Sequence, residues 1–306
     1  MGLIACRARL LLEAKRNGVK FSSTLTLGRQ LINMTASELA HLRKIYSISK
    51  TPDSDSLKYR SYADQFFSHY LGSKKLNVMD YSDYQGADII HDLNYPIKHD
   101  LEEAFDVVVD GGTLEHIFNF PTAVSNCMRM LKKGGSLFIF SNANNHCGHG
   151  FYQFSPELFF RIFQMDNGFE TKAIILVKHP FPGAELSRRQ KCFRVKDPAL
   201  IGRRSVIVTK SPVGMMVHAI KIARRPLFER YPQQSDYVSR WSSTRMNDIQ
   251  DIQKGNSETI RNSRLRSVQK DIWKRLPFRL KLSVAGLHQL WKFSLSRDKA
   301  FFTRWP

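Results

Sequence analysis

FDVVVDGGTLEHIFN, residues 105–119, reads as a strand that stops on an acid and turns through two glycines into a short LEHI segment carrying His116. The run from Val107 to Val109 is too uniformly apolar for a strand with one wet face, and suits one covered on both sides. The same signal recurs in FSSTLTLG (21–28), LNVMD (76–80), ADIIHDL (87–93), SLFIF (136–140), TKAIILV (171–177) and RSVIVTK (204–210). Helical patterns fall between several of them: 3–16, 35–46 opened by Thr35 and Glu38 as a capping box, 61–70, 122–131, and 155–164 opened by Ser155-Pro156. Strands alternating with helices predict an α/β fold with a doubly wound, mostly parallel, seven-stranded sheet. Residues 178–203 are rich in Pro and Gly and hold no crossover helix, so the last two strands are expected to pair antiparallel.

Length and charge divide the chain. At 306 residues it has room for one large domain and an appendage, and the pattern changes after Lys210, giving an expected cofactor-type domain over 1–210 and a basic, partly helical extension over 211–306. The extension carries 19 basic and 7 acidic side chains, a net +12 of the total +20. Such a field attracts polyanions, either an anionic membrane surface or nucleic acid, although a basic surface also serves solubility alone. Two stretches, 215–228 and 261–281, read as basic amphipathic segments, or equally as helices packed on the domain with a solvated basic face.

Four scattered cysteines with no CxxC pair indicate neither a disulfide framework nor a zinc ribbon. The opening MGLIACRARLLLEAKRNG is interrupted by Arg7, Arg9 and Glu13 and has no apolar core of a leader, and no uncharged apolar run is long enough to span a bilayer. A cytoplasmic location, with the basic extension peripheral to the inner membrane, is the expectation.

In an open α/β sheet, ligands bind beyond the carboxyl ends of the strands near the switch in strand order. The residues just after the expected strands are small or polar: Gly28-Arg29-Gln30, Asp80-Tyr81-Ser82, Asp92-Leu93-Asn94, Asp110-Gly111-Gly112 and 141–144. An acid after the second strand suits a ribose, whose two hydroxyls it can accept from, and it also suits a turn or helix cap.

Taken in order, FDVVVDGGTLEHIFN, MRMLKKGGSLFIF (128–140), GHGFYQFSPELFFRIF (148–163) and NGFE (167–170) resemble the second half of class I S-adenosylmethionine-dependent methyltransferases. The resemblance spans about residues 20–210 and implies S-adenosyl-L-methionine as cofactor. By position it implies Gly28 against the cofactor's amino-acid portion, Asp80 on the ribose, Asp92 with the Leu93 backbone bordering the adenine, and Asp110 flanking the methionine end. For Asp92 a turn that caps the strand is the other reading. TLTLGRQ departs from the family pattern: Gly28 is its single glycine where the family has a glycine-rich turn, a degenerate first motif.

GHGFYQFSPELF is similar to segments of bacterial methyltransferases associated with surface-polysaccharide synthesis, which implies O-methylation of a sugar, glycan or other small-molecule acceptor. Charge raises a nucleic-acid methyltransferase as an alternative, although no NPPY-like motif is present, and the thinned glycine turn raises a catalytically silent binding protein as another. His149, on the loop after the fifth strand, is the candidate base for an acceptor hydroxyl; its other reading, shared with Tyr152, is to fix that loop by hydrogen bonds. His116 is a second catalytic candidate, or a structural or cofactor-facing residue. His146, Cys147 and His149 are spaced too tightly for a familiar zinc pattern, so no metal site is expected.

Overall fold

The apolar runs become strands: β1 (Gly2–Leu3), β2 (Ser23–Leu27), β3 (Leu31–Ile32), β4 (Lys75–Asp80), β5 (Ile89–Ile90), β6 (Phe105–Asp110), β7 (Leu131–Asn144), β8 (Phe169–Lys178), β9 (Lys191–Val195), β10 (Val213–Lys221) and β11 (Phe302–Trp305). The computed structural model describes residues 2–49, 57–180, 190–241 and 278–306. Its larger unit comprises Met1–Val195, Lys210–Pro232 and Arg304–Pro306, and its smaller one Lys196–Thr209 and Gln233–Thr303.

Nine strands form the large sheet, in the order β11-β9-β8-β10-β7-β6-β2-β4-β5. β5, β4, β2, β6 and β7 pair in parallel, and β10 runs antiparallel to both β7 and β8. β2, first of these in the chain, lies between β4 and β6, so the order reverses there and opens a crevice at the carboxyl ends of β2, β4 and β6. Val107, Val108 and Val109 of β6 and Leu137, Phe138, Ile139 and Phe140 of β7 are all fully buried, as strands covered on both faces must be.

Helices α1 (Ala5–Arg16) and α2 (Ala36–Ile45) and the turns of Phe66–Leu71 pack with Val107, Val109, Phe138 and Phe140 into one core cluster. The capping box at α2 is present: Glu38 N–H donates to Thr35 Oγ1 at 3.3 Å, and Thr35 N–H donates to Glu38 Oε2 at 2.7 Å. Helix α3 (Phe120–Met130) joins β6 to β7, and α4 (Pro156–Ile162) starts at Ser155, whose Oγ accepts the Glu157 N–H at 3.2 Å. These four helices match the expected ones; the helix expected over 61–70 is wider than an α-helix over most of its length.

Five expectations are corrected. RSVIVTK (204–210) is not the seventh strand: it is irregular and only half-buried, whereas VGMMVHAIK, nine residues almost wholly buried, supplies the strand between β7 and β8. Its residues 215–221 make up the first half of 215–228, so that apolar face is sheet core and not one side of an amphipathic helix. The expected boundary at residue 210 moves for the same reason, since Lys210–Pro232 belongs with the sheet. ADIIHDL contributes only Ile89–Ile90, because Asp92 turns the chain; KCFRV adds a strand in the stretch read as loop. The segment 261–281 lies outside the described residues apart from the start of the helix Phe278–Lys292.

Candidate functional site

β2 ends at Leu27, and Gly28 turns the chain with φ +68°, a left-handed conformation that favours glycine. Its N–H donates to the Met79 carbonyl of β4 at 2.8 Å, which ties the two strand ends together. A Cβ on Gly28 would stand 3.7 Å from both Asp80 Oδ2 and Thr113 Oγ1. Glycine thus leaves a small cradle between the carboxyl ends of β2, β4 and β6. Asp80 Oδ1 accepts its neighbour's Tyr81 N–H at 2.7 Å, while Oδ2 carries no hydrogen bond among the described residues. Arg29 turns away from the cradle: its guanidinium pairs with Asp64 at 2.5 Å and lies over the Tyr62 ring at 4.0 Å.

Gln30 completes this turn by donating to the Leu27 and Gly28 carbonyls, each at 3.0 Å. Its side chain passes so close to Gly111 that a Cβ there would fall 1.9 Å from Gln30 Oε1. The two short turns after β2 and β6 are therefore fitted to each other.

Asp110 is fully buried, with Oδ1 accepting the N–H groups of Gly112 at 3.0 Å, Thr113 at 2.6 Å and Leu114 at 3.4 Å. It anchors the turn that carries Leu114, Glu115 and His116. Burial, and then the nearby Glu115 carboxylate, push the Asp110 carboxyl up to about 7. Asp92 accepts the Asn94 N–H at 2.9 Å and the Asn94 side chain at 2.8 Å, which is the turn-capping arrangement; Leu93 is buried. Gly28 and Asp80 are brought together, Asp110 lies beneath the next turn, and Asp92 is occupied locally.

On the acceptor side, the turn after β6 meets the loop after β7. Glu115 has a side chain with no exposure; its Oε2 accepts the Ser141 Oγ–H at 2.9 Å, and its Oε1 makes no hydrogen bond among the described residues. The Glu115 backbone carbonyl accepts the N–H groups of Phe151 at 2.7 Å and Tyr152 at 3.2 Å. This seats the 146–152 loop so that His149 Nε2 lies 3.9 Å from Glu115 Oε1, with the His116 ring 5.1 Å from that of His149. Burial raises the Glu115 carboxyl above its ordinary range, and burial followed by His149 lowers His116. Tyr152 donates from its hydroxyl to the Phe118 carbonyl at 2.6 Å. Phe118 and Phe151, both largely exposed, meet edge to face at 6.2 Å on the rim.

His149 and His116, the two catalytic candidates, are thus neighbours. Glu115, which stands between them chemically, was not singled out in the sequence, although a lone acid in an apolar LEHI turn is the signal that could have found it. Thr113 and Gln30 carry no sequence signal of their own.

Residues 74–139, from β4 into β7, match a family model described as a methyltransferase domain. Among solved structures, the chain is similar to a protein of Bacillus halodurans C-125 provisionally assigned as a methyltransferase, at 14% identity over 71% of this chain and 99% of that one, with a TM-score of 0.39. A SAM-dependent methyltransferase from Thermotoga maritima is 14% identical over 70% of this chain and 89% of that one, with a TM-score of 0.35. One from Aquifex aeolicus is 12% identical over 69% and 92%, with a TM-score of 0.30. No curated protein matches in sequence.

Proposed function

We propose that this S-adenosylmethionine-dependent methyltransferase methylates a hydroxyl oxygen of a sugar, glycan or other small-molecule acceptor, in the cytoplasm. One observation carries the reading: Glu115, His116 and His149 gather beside the carboxyl ends of β6 and β7, on the segments that also carry the exposed Phe118 and Phe151 rings. The cradle at Gly28, with Asp80 Oδ2 and Thr113 Oγ1 facing it, fits the cofactor's polar atoms. S-adenosylmethionine supplies an electrophilic methyl group, and its C–S electron pair stays on sulfur when the acceptor oxygen takes the methyl.

The chain's own residues do the rest. Asp80 binds the ribose hydroxyls, and Asp110 keeps the turn after β6 in the shape that holds Thr113 and Glu115. Glu115, His116 and His149 receive the acceptor hydroxyl and stabilise the charge that develops as the new C–O bond forms, the hydroxyl proton being released to solvent beside them. Aromatic faces carry negative charge density that attracts the C–H faces of a sugar ring, so the Phe118–Phe151 pair suits a glycan. Positioning supplies much of the rate in such a transfer.

The net charge of +20 supports a second reading, a nucleic-acid acceptor, and supports contact with an anionic membrane carrying a lipid-linked acceptor. Incubation of the full chain with methyl-labelled S-adenosylmethionine and separate pools of nucleotide sugars, lipid-linked glycans, RNA and DNA tests these together. Label entering an alkali-stable ether of a sugar is expected. Label entering nucleic acid instead overturns the glycan reading.

A further inference from the structure

We propose that Glu115, His116 and His149 hold a divalent transition-metal ion, and that the acceptor's oxygen atoms bind to the open face of that ion. The second half of this statement rests on the O-methylation reading above; the first does not.

One donor atom from each of the three side chains lies within 4.8 Å of the other two, and among the described residues this is the one such group of three. Around an ion with bonds of about 2.1 Å, ligand atoms stand roughly 3.0–3.4 Å apart, so small side-chain rotations close the set. Glu115 Oε1 and His149 Nε2 are both buried and have no hydrogen-bond partner among the described residues. They face one another at 3.9 Å, too far for a hydrogen bond and the right way round for a shared cation. A buried carboxylate oxygen left unsatisfied is costly, and native chains rarely keep one without a reason.

The surroundings are those of a ligand set. Ser141 donates to the other Glu115 oxygen at 2.9 Å, which fixes the carboxylate's orientation as outer-shell partners do. The Phe151 and Tyr152 N–H groups hold the His149 loop to the Glu115 carbonyl, so two ligands from distant parts of the chain are locked together by backbone. His149 is less than half exposed, leaving one side of the cluster open to solvent and to an acceptor.

Two imidazoles with one carboxylate select zinc, iron, cobalt or manganese; magnesium and calcium prefer oxygen alone. Three protein ligands leave the remaining positions for water or substrate, the arrangement of reactive sites. An acceptor presenting two adjacent oxygens, such as a vicinal diol, would occupy them. On the ion its hydroxyl loses a proton to solvent more readily, as metal-bound water does.

The test uses the full-length protein, stripped with chelator and titrated with Co2+ while visible absorption is recorded, then with Zn2+ in competition. One equivalent of Co2+ with a d–d band is expected, displaced by Zn2+, and weakened about 10- to 100-fold or more in His149→Gln and in Glu115→Gln. Thermal unfolding and S-adenosylhomocysteine calorimetry on the same samples report folding. Should Glu115→Gln fail to fold, His149→Gln, on the partly exposed loop, carries the test. Absence of a band at millimolar Co2+, undiminished binding in His149→Gln, or preference for Mg2+ over Co2+ overturns the metal site. Retained S-adenosylhomocysteine binding in that event leaves the methyltransferase reading standing.

Discussion

Gly150 lies directly against Glu115: a Cβ at position 150 would come within 2.7 Å of the Glu115 carbonyl oxygen, and the residue holds φ +75°. The loop that carries His149 is therefore seated, backbone on backbone, on the residue whose carboxylate His149 faces. Gly150→Ala should strain this contact on both counts, at about 1–3 kcal/mol. Turnover should fall while S-adenosylhomocysteine affinity holds, because Gly28 and Asp80 belong to other turns. Calorimetry beside an activity assay checks it; equal loss of both would mean that the loop supports the cofactor as well.

Asp80 Oδ2 faces the Gly28 cradle with no hydrogen bond of its own among the described residues. Asp80→Ala should remove charge-assisted bonds to the ribose hydroxyls, each of order 1.5–3 kcal/mol before compensation. An S-adenosylhomocysteine dissociation constant within twofold of the wild type would remove Asp80 from the site.

Asp110 gives a pH signature. Its carboxyl is pushed up to about 7 from an ordinary 3.8 by burial and then by Glu115, so between those values the folded chain holds a proton that the unfolded chain has released. Its contribution is greatest below pH 4 and is lost as pH rises through 7, by at most about 1.4 kcal/mol per unit. Asp110→Asn keeps an Oδ1 acceptor for the three N–H groups and does not titrate. The variant should therefore gain on the wild type in urea midpoint from pH 5 to pH 8; a constant gap would show that Asp110 is ionised throughout.

β10 places 211–232 in a different light from its composition. Met215, Met216 and Val217 are buried, and the strand is bonded on both sides, to β7 and β8. A chain ended at Lys210 should expose both neighbours and lose its cooperative thermal transition. A sharp transition in that truncation, followed by circular dichroism, would contradict the strand's structural role.

What the sequence made legible was the parallel half of the sheet, because β2, β4 and β6 are short runs ending at Gly or Asp, and the both-face burial of β6 and of residues 137–140 in β7 leaves little freedom in their composition. β10 was misread because charge dominates its neighbourhood: KIARR follows VGMMVHAI, so a helix with a basic face and a buried strand with a basic exit look alike. Asp80 and Gly28 could be placed from strand ends alone. Glu115 could not, since its importance comes from Ser141 and His149, 26 and 34 positions away, reached only when β6 and β7 lie side by side. Metal-ligand spacing along the chain was likewise uninformative, because the set is completed across two loops.

His149 is the residue on which the acceptor side turns. Its Nε2 lies 3.9 Å from the buried Glu115 carboxylate, and its ring is next to that of His116, which burial and His149 together keep neutral to lower pH than usual. Glutamine retains a polar end of similar reach but neither takes up a proton at neutral pH nor binds a transition ion comparably. His149→Gln should therefore leave S-adenosylhomocysteine affinity and the melting temperature close to wild type while lowering turnover by about 10² to 10⁴. If His149 only fixes the loop, melting temperature and turnover should fall together, since the Glu115 carbonyl contacts would loosen with it. Turnover, stability and binding all near wild type would exclude both roles and leave His116, with substrate positioning, to account for the chemistry.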